Sequence, residues 1–356
     1  MKKETAAIRT QLERTQHREH SAPLYLTSSF LFEDAEQMRA MFQDEIEGNI
    51  YSRFSNPNTS ELIEKISIME NAEDGWATAT GMSAVFTSFG ALLQQGDHIL
   101  SSRSIFGSTH SLFTKILTKW GIDHTYVPAD DLSQWEAAIR PNTKVLYLET
   151  PSNPGVELID MEAAAAIAKK HNLLYIVDNC FATPVIQRPI DFGADLVIHS
   201  ATKHIDGQGR VLGGLIAGRK DLIDEIRMFA RHTGPAMSPF NAWVLLKSLE
   251  TLQVRMEAHS RNAMDIAKRL EDHPNVEKVL YPFLPSHPQY DIAQKQMTMG
   301  GGIVTFFIKG GVEEGKKFLN ALKMCSISAN LGDTRTIVTH PASTTHAKLS
   351  EEEREA

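Results

Sequence analysis

Between about residue 60 and residue 218, short apolar runs alternate with longer segments of helical spacing. A chain with that rhythm buries both kinds of segment only as a parallel sheet covered by helices, which makes the fold class α/β. The expected strands are His98–Leu100, Ile122–Val127, Val145–Glu149, Leu173–Asp178, Leu196–His199 and Leu215–Ala217. The expected helices include Met82–Gln95 stopped by Gly96, Ser108–Trp120 stopped by Gly121, and Asp160–His171 ended near Asn172. Asp160 is placed to cap its helix, and Lys169 and Lys170 suit the far end of the dipole.

Residues 1–58 are polar, mixed in charge and without this rhythm, as expected of an arm that packs on a neighbouring subunit or of a frayed terminus. Residues 59–238 form the main domain. Residues 239–356 begin with one long helical pattern, Pro239–Glu271, and continue into a smaller α/β unit containing Val276–Leu280, Ile303–Ile308, Val312–Leu322 and Cys325–Ser328. A length of 356 residues fits a large domain with a smaller one attached. The formal net charge of −8 argues against nucleic acid as a partner. Two cysteines without Cys-x-x-Cys spacing leave no disulfide framework or thiolate metal site and suit a reducing cytosol. No signal-peptide or membrane-length apolar run occurs, so the expected location is cytoplasmic.

In such a sheet, ligands bind beyond the carboxyl ends of the strands, and several polar residues fall there. Lys203, in Ser200-Ala201-Thr202-Lys203-His204, follows the apolar run 195–198. A lysine at a strand end between hydroxyls can form an imine with an aldehyde while Ser200 and Thr202 hold a phosphate, a combination that describes pyridoxal 5′-phosphate attachment. Asp178 ends the strand 25 residues earlier (203 − 178) and could pair with a pyridine nitrogen, or merely cap a loop. Gly81 and Met82 open an apolar helix where free amides make an anion site, although a plain tight turn has the same sequence. Arg53, in Tyr51-Ser52-Arg53, offers bidentate phosphate binding or a solvated charge. Asn153, between two prolines, could reach the ring's phenolic oxygen, and Phe106 could stack on the ring or belong to the core.

Taken together, Tyr51-Ser52-Arg53, Thr80-Gly81-Met82-Ser83-Ala84, Pro151-Ser152-Asn153-Pro154, Asp178-Asn179, Ser200-Ala201-Thr202-Lys203 and the run from His340 to His346 resemble the cysteine and methionine metabolism family of pyridoxal phosphate enzymes. The resemblance spans the chain. It implies fold type I, aspartate aminotransferase-like, with a mainly parallel seven-stranded sheet and a smaller C-terminal α/β domain. It also implies that Lys203 is the Schiff-base lysine, that Asp178 meets the ring nitrogen, and that Gly81, Met82, Ser200 and Thr202 bind the phosphate. Tyr51 and Arg53 would reach the cofactor of the adjacent subunit, making a dimer obligatory and a tetramer usual, with Tyr51 assisting proton transfer.

Two segments, Asp206–Gly214 and Ala329–Asp333, are similar to the O-succinylhomoserine sulfhydrylase branch. The implied reaction is replacement of succinate by sulfide on O-succinyl-L-homoserine, yielding L-homocysteine in methionine biosynthesis. The rivals within the family are an O-acetylhomoserine sulfhydrylase, a cystathionine gamma-synthase and a methionine gamma-lyase. Many relatives carry tyrosine where Phe106 stands, so here the ring can stack and cannot act as an acid. The chain ends at Ala356, before the segment in which the family carries a carboxylate-binding arginine. Arg354 is no substitute for it, and a chain that binds cofactor with impaired turnover is the corresponding alternative. A nicotinamide enzyme is disfavoured because Gly207-x-Gly209 has Leu212 where a third glycine belongs and no strand leads into it. His340 and His346 lack the spacing of a catalytic metal site, so no metal is expected.

Overall fold

The computed structural model describes residues 2–11, 14–129 and 131–343, so His346 and Arg354 lie outside the described residues. Seven strands form one sheet: β1 Asp74–Thr78, β2 His98–Ser102, β3 Asp123–Val127, β4 Thr143–Glu149, β5 Leu174–Asp178, β6 Leu196–Ser200 and β7 Gly214–Gly218. Their order is β1-β7-β6-β5-β4-β2-β3. Strands β2 to β6 run parallel to one another, and β7 is antiparallel to both β6 and β1. The run 145–148, Val-Leu-Tyr-Leu, is apolar at every position because both faces of β4 are covered.

Alternation divides each strand between the two faces. Tyr147, Ile176 and Ile198 pack with Ala84, Val85 and Phe89 of the Gly81–Leu92 helix. Leu148, Val177 and Val197 pack on the other side against Met161, Ala164 and Ala168. Two positions further along each strand, Glu149, Asp178 and Ser200 therefore emerge on the face that carries the start of the Gly81–Leu92 helix.

All six expected strands are present, and β1 adds a seventh. Its sequence, Asp-Gly-Trp-Ala-Thr, has too short an apolar stretch to signal a strand, and its place is fixed by five register pairs with β7. The Asp160 cap is present, accepting from the Ala163 amide at 3.1 Å. The segment 108–120 is less regular than expected: an α-turn Gly107–Ser111, a π-turn Leu112–Ile116 and a 3₁₀ turn Leu117–Trp120 lead to Gly121 in the left-handed region. The Pro239–Glu271 pattern is two helices, Pro239–Leu249 and Leu252–Glu271. The break occurs where the Ser248 carbonyl takes the amide and hydroxyl of Thr251 and the guanidinium of Arg255 in place of a continuing helical amide.

Residues before 57 contain helices Lys3–Arg9 and Ala35–Phe42. Part of this arm packs on its own body: Ala6, Ala7 and Ala22 are buried, and Trp243 donates to the Ala22 carbonyl. Leu24, Leu26, Leu31 and Phe42 are exposed. Towards the other end, β8 Val276–Leu280 and β9 Thr305–Ile308 form an antiparallel pair beside a small core around Tyr281. No helix among the described residues is long and apolar enough to cross a membrane.

Candidate active site

Lys203 stands three residues past the end of β6, and its Nζ donates to Asn330 Oδ1 at 2.9 Å. Burial lowers the pKa of this amine below the usual lysine range, which increases the neutral, nucleophilic fraction. The loop that carries it is tight: the Asp206 amide bonds the Ala201 carbonyl and the Gly207 amide bonds the Lys203 carbonyl. Asn330 comes from the far end of the chain, 127 residues away, and no strand or helix periodicity announces it.

Asp178 ends β5 and is buried, with Oδ1 accepting the Cys180 amide at 2.9 Å. Its register neighbour on β4 is Glu149, which accepts the Phe106 amide at 2.8 Å. Two buried carboxyls side by side cannot both be ionised cheaply. Burial, then the charge of Asp178, hold Glu149 well above the usual carboxylate range, so Glu149 is the acid kept neutral. Burial also raises Asp178, to about 6, against the lowering effects of the Cys180 amide hydrogen bond and then of His199. A cation placed at Asp178 would offset that desolvation. Burial pushes the Cys180 thiol upward, leaving it neutral, with the charge of Asp178 adding to that effect and the charge of Lys203 opposing it.

The helix whose start was expected to offer an anion site begins at Gly81. Thr80 and Ser83 form a capping box, with the Ser83 amide on Thr80 Oγ1 at 3.0 Å and the Thr80 amide on Ser83 Oγ at 2.9 Å. Among the described residues, no acceptor meets the amides of Gly81 and Met82. A side chain at Gly81 would place its Cβ 2.6 Å from Ser200 Cβ, so only glycine lets the helix start meet the end of β6. Thr202 Oγ1 accepts the Gly213 amide at 3.1 Å and its hydroxyl donates to the Gly213 carbonyl at 3.4 Å, a long bond that an incoming acceptor could replace.

The structure thus gathers Gly81, Met82, Ser200, Thr202, Lys203 and Asp178, and the Phe106 and Asn153 segments join them through Glu149. Tyr51 and Arg53 stay apart: both are grouped with Phe54, and Arg53 donates to the Arg231 carbonyl. No hydrogen bond or ring contact ties either to Lys203. Sequence reasoning missed Asn330, Cys180 and Glu149 as site residues. Of these, only Glu149 carried a signal, its position at a strand end. Among the described residues, no cluster of three or more histidine, cysteine or acidic side chains could hold a metal ion.

These residues fit a phosphorylated pyridine aldehyde: unpartnered helix amides for the phosphate, a deprotonation-prone amine for the aldehyde, and a buried acid for the ring nitrogen. The comparisons agree with that chemistry. Residues 4–356 match the family described as Cys/Met metabolism PLP-dependent enzymes. The chain is 49% identical to an O-succinylhomoserine sulfhydrylase of Pseudomonas aeruginosa, covering 99% of this chain and 87% of that protein. It is 43% identical to an L-methionine gamma-lyase of Porphyromonas gingivalis, covering 94% and 85%. A solved structure from Campylobacter jejuni, named for O-acetylhomoserine (thiol)-lyase and holding an N′-pyridoxyl-lysine-5′-monophosphate, superimposes with a TM-score of 0.95 at 34% identity, covering 100% of this chain and 93% of that one. The fold is that of the fold type I enzymes, and this chain belongs to the Cys/Met metabolism family of pyridoxal phosphate-dependent enzymes.

Proposed function

We propose that this chain catalyses γ-replacement on O-succinyl-L-homoserine, exchanging succinate for sulfide to give L-homocysteine. The observation that carries the reading is the Lys203 amine, half-buried, lowered in pKa and placed at one sheet edge with Asp178 and the Gly81 helix start. The choice of succinyl ester is supported by similarity to proteins bearing that name.

Pyridoxal phosphate, when bound, supplies the electron sink that makes protons beside the substrate's amino carbon removable. Lys203 would hold the cofactor's aldehyde carbon and, once displaced by the substrate amine, carry protons between Cα and Cβ on its Nζ. Asp178 would hold the ring nitrogen with a carboxylate that the nearby positive charge keeps ionised. The amides of Gly81 and Met82, with the Ser200 and Thr202 hydroxyls, would bind the phosphate. Phe106 would stack on the ring and move no proton, and Asn153 would donate to the phenolic oxygen. Tyr51 and Arg53 would come from an adjoining protomer to the phosphate, Tyr51 also assisting proton transfer. Succinate leaves Cγ with the C–O bonding pair and hydrosulfide forms the C–S bond, so nothing is oxidised or reduced overall. The domain division 1–58, 59–238 and 239–356 and a tetramer built from two dimers belong to the same proposal.

A second reading is γ-elimination, favoured by the 43% identity to a methionine gamma-lyase. The test is a substrate panel on cofactor-loaded protein: succinyl and acetyl esters of homoserine with sulfide or cysteine, and methionine alone. Homocysteine formed fastest from succinyl ester and sulfide supports replacement. Release of 2-oxobutyrate from methionine at a higher kcat/KM overturns it. Cofactor attachment with no turnover on any of these would return the reading to a cofactor-binding, impaired chain.

A further inference from the structure

The lysine loop is held from beneath by a residue with no part in the chemistry above. Arg255 lies one turn into the Leu252–Glu271 helix, just after the break that separates it from Pro239–Leu249. Its Nη1 donates to the His204 carbonyl at 2.5 Å, and its Nη2 donates to the carbonyls of Ile205 at 3.1 Å and Ser248 at 3.0 Å. Nε reaches Thr251 Oγ1 at 3.3 Å. The planar fork therefore joins the two carbonyls that follow Lys203 to the helix break. A Cβ at Gly207 would overlap the guanidinium, and Gly207 is in the left-handed region at φ +72°, so the loop closes over the arginine only because that residue is glycine. Burial lowers the Arg255 pKa to about 10, which leaves it charged at neutral pH. Asp206, the acid whose charge raises the Arg255 pKa, has its own carboxylate on Arg210 and the loop amides, so Arg255 spends its donors on carbonyls.

A half-buried cation committed to three backbone carbonyls is a costly way to close an ordinary loop, since part of its charge is taken out of water to do so. What it provides here is direction. With the carbonyls of residues 204 and 205 fixed and the Gly207 amide tied back to the Lys203 carbonyl at 2.8 Å, the backbone of Lys203 has one orientation. Its amine is thereby presented to the sheet edge, where Asn330 meets it. We propose that Arg255 is a positioning residue for the cofactor lysine, acting through the His204 and Ile205 carbonyls. A point-charge ammonium cannot reproduce the fork, so lysine is not an adequate replacement. The inference rests on the reading of Lys203 as the cofactor lysine.

The experiment compares wild type, Arg255→Lys and Arg255→Gln as cofactor-free proteins mixed with pyridoxal phosphate. The rate of appearance of the visible absorbance is followed alongside the thermal midpoint and the exchange protection of the Asp206 and Gly207 amides. The expected result is a folded Arg255→Lys protein with a midpoint near wild type, at least tenfold slower attachment and lost protection at those two amides. Attachment at the wild-type rate with protection intact overturns the inference. So does a lowered midpoint with unchanged attachment per folded molecule, or failure of both variants to fold, because each makes Arg255 a residue of stability alone. If wild type develops no visible absorbance, the assignment of Lys203 is what fails, and the variants play no part in that outcome.

Discussion

Lys203 and Asp178 differ from ordinary residues of their types through burial, and each carries its own expected outcome. Lys203→Ala removes the nucleophile without disturbing the sheet, so it should abolish both the visible absorbance and turnover; retention of either would free the lysine of its role. Asp178→Asn keeps the shape and the Cys180 contact but removes the charge that would face the ring nitrogen. A hydrogen bond between charged partners contributes about 2 kcal/mol, so cofactor affinity should fall roughly thirtyfold. Equilibrium titration of cofactor-free protein measures this, and unchanged affinity would move the ring nitrogen elsewhere. Both residues were legible in the sequence because Asp178 directly follows an apolar run that reads as a buried strand, and Lys203 lies in the hydroxyl-bearing turn just beyond another. Asn330 was not, because its reach to Lys203 spans 127 residues through the smaller unit and leaves no local pattern.

At the level of elements, strand ends and helix starts were readable where side-chain chemistry caps them, as at Asp160 and Thr80. The break at 250–251 was not, because apolar spacing continues through it while the Ser248 carbonyl changes partners. The meeting of the Gly81–Leu92 helix with β6 is testable: Gly81→Ala drives a methyl group into Ser200, so phosphate affinity should drop by an order of magnitude or more with the sheet intact. Titration with pyridoxal and with pyridoxal phosphate separates the two, since only the latter should suffer. A second element test is at the start of β2, where buried His98 bridges Thr125 of β3 and Thr143 of β4. Burial lowers its pKa to about 4, so the folded protein holds it neutral. Above about pH 6.5 it is neutral in both states and costs nothing. As pH falls from there towards 4, the unfolded chain binds a proton that the folded chain refuses, and stability is lost by up to about 3 kcal/mol. Urea unfolding at pH 7 and pH 4.5 should show His98→Leu closing its gap to wild type at the lower pH; a constant gap would contradict the assignment.

For the whole molecule, the sheet order and its lone antiparallel strand place the acidic pair, the Gly81 helix start and the lysine on one edge, whereas Tyr51 and Arg53 lie with Phe54 and Arg231. If the site is completed across protomers, Arg53→Ala and Lys203→Ala chains are each inactive alone and complement on mixing. Random pairing gives one intact site in each mixed dimer, so about a quarter of wild-type activity should return. No recovery after demonstrated subunit exchange would put both residues in one chain's site. Covalent attachment at a single amine can be read by borohydride reduction of the cofactor-loaded protein followed by peptide mass mapping. One reduced pyridoxyl phosphate adduct per chain, on Lys203, is the expected result. An adduct on any other lysine, or none, would contradict it.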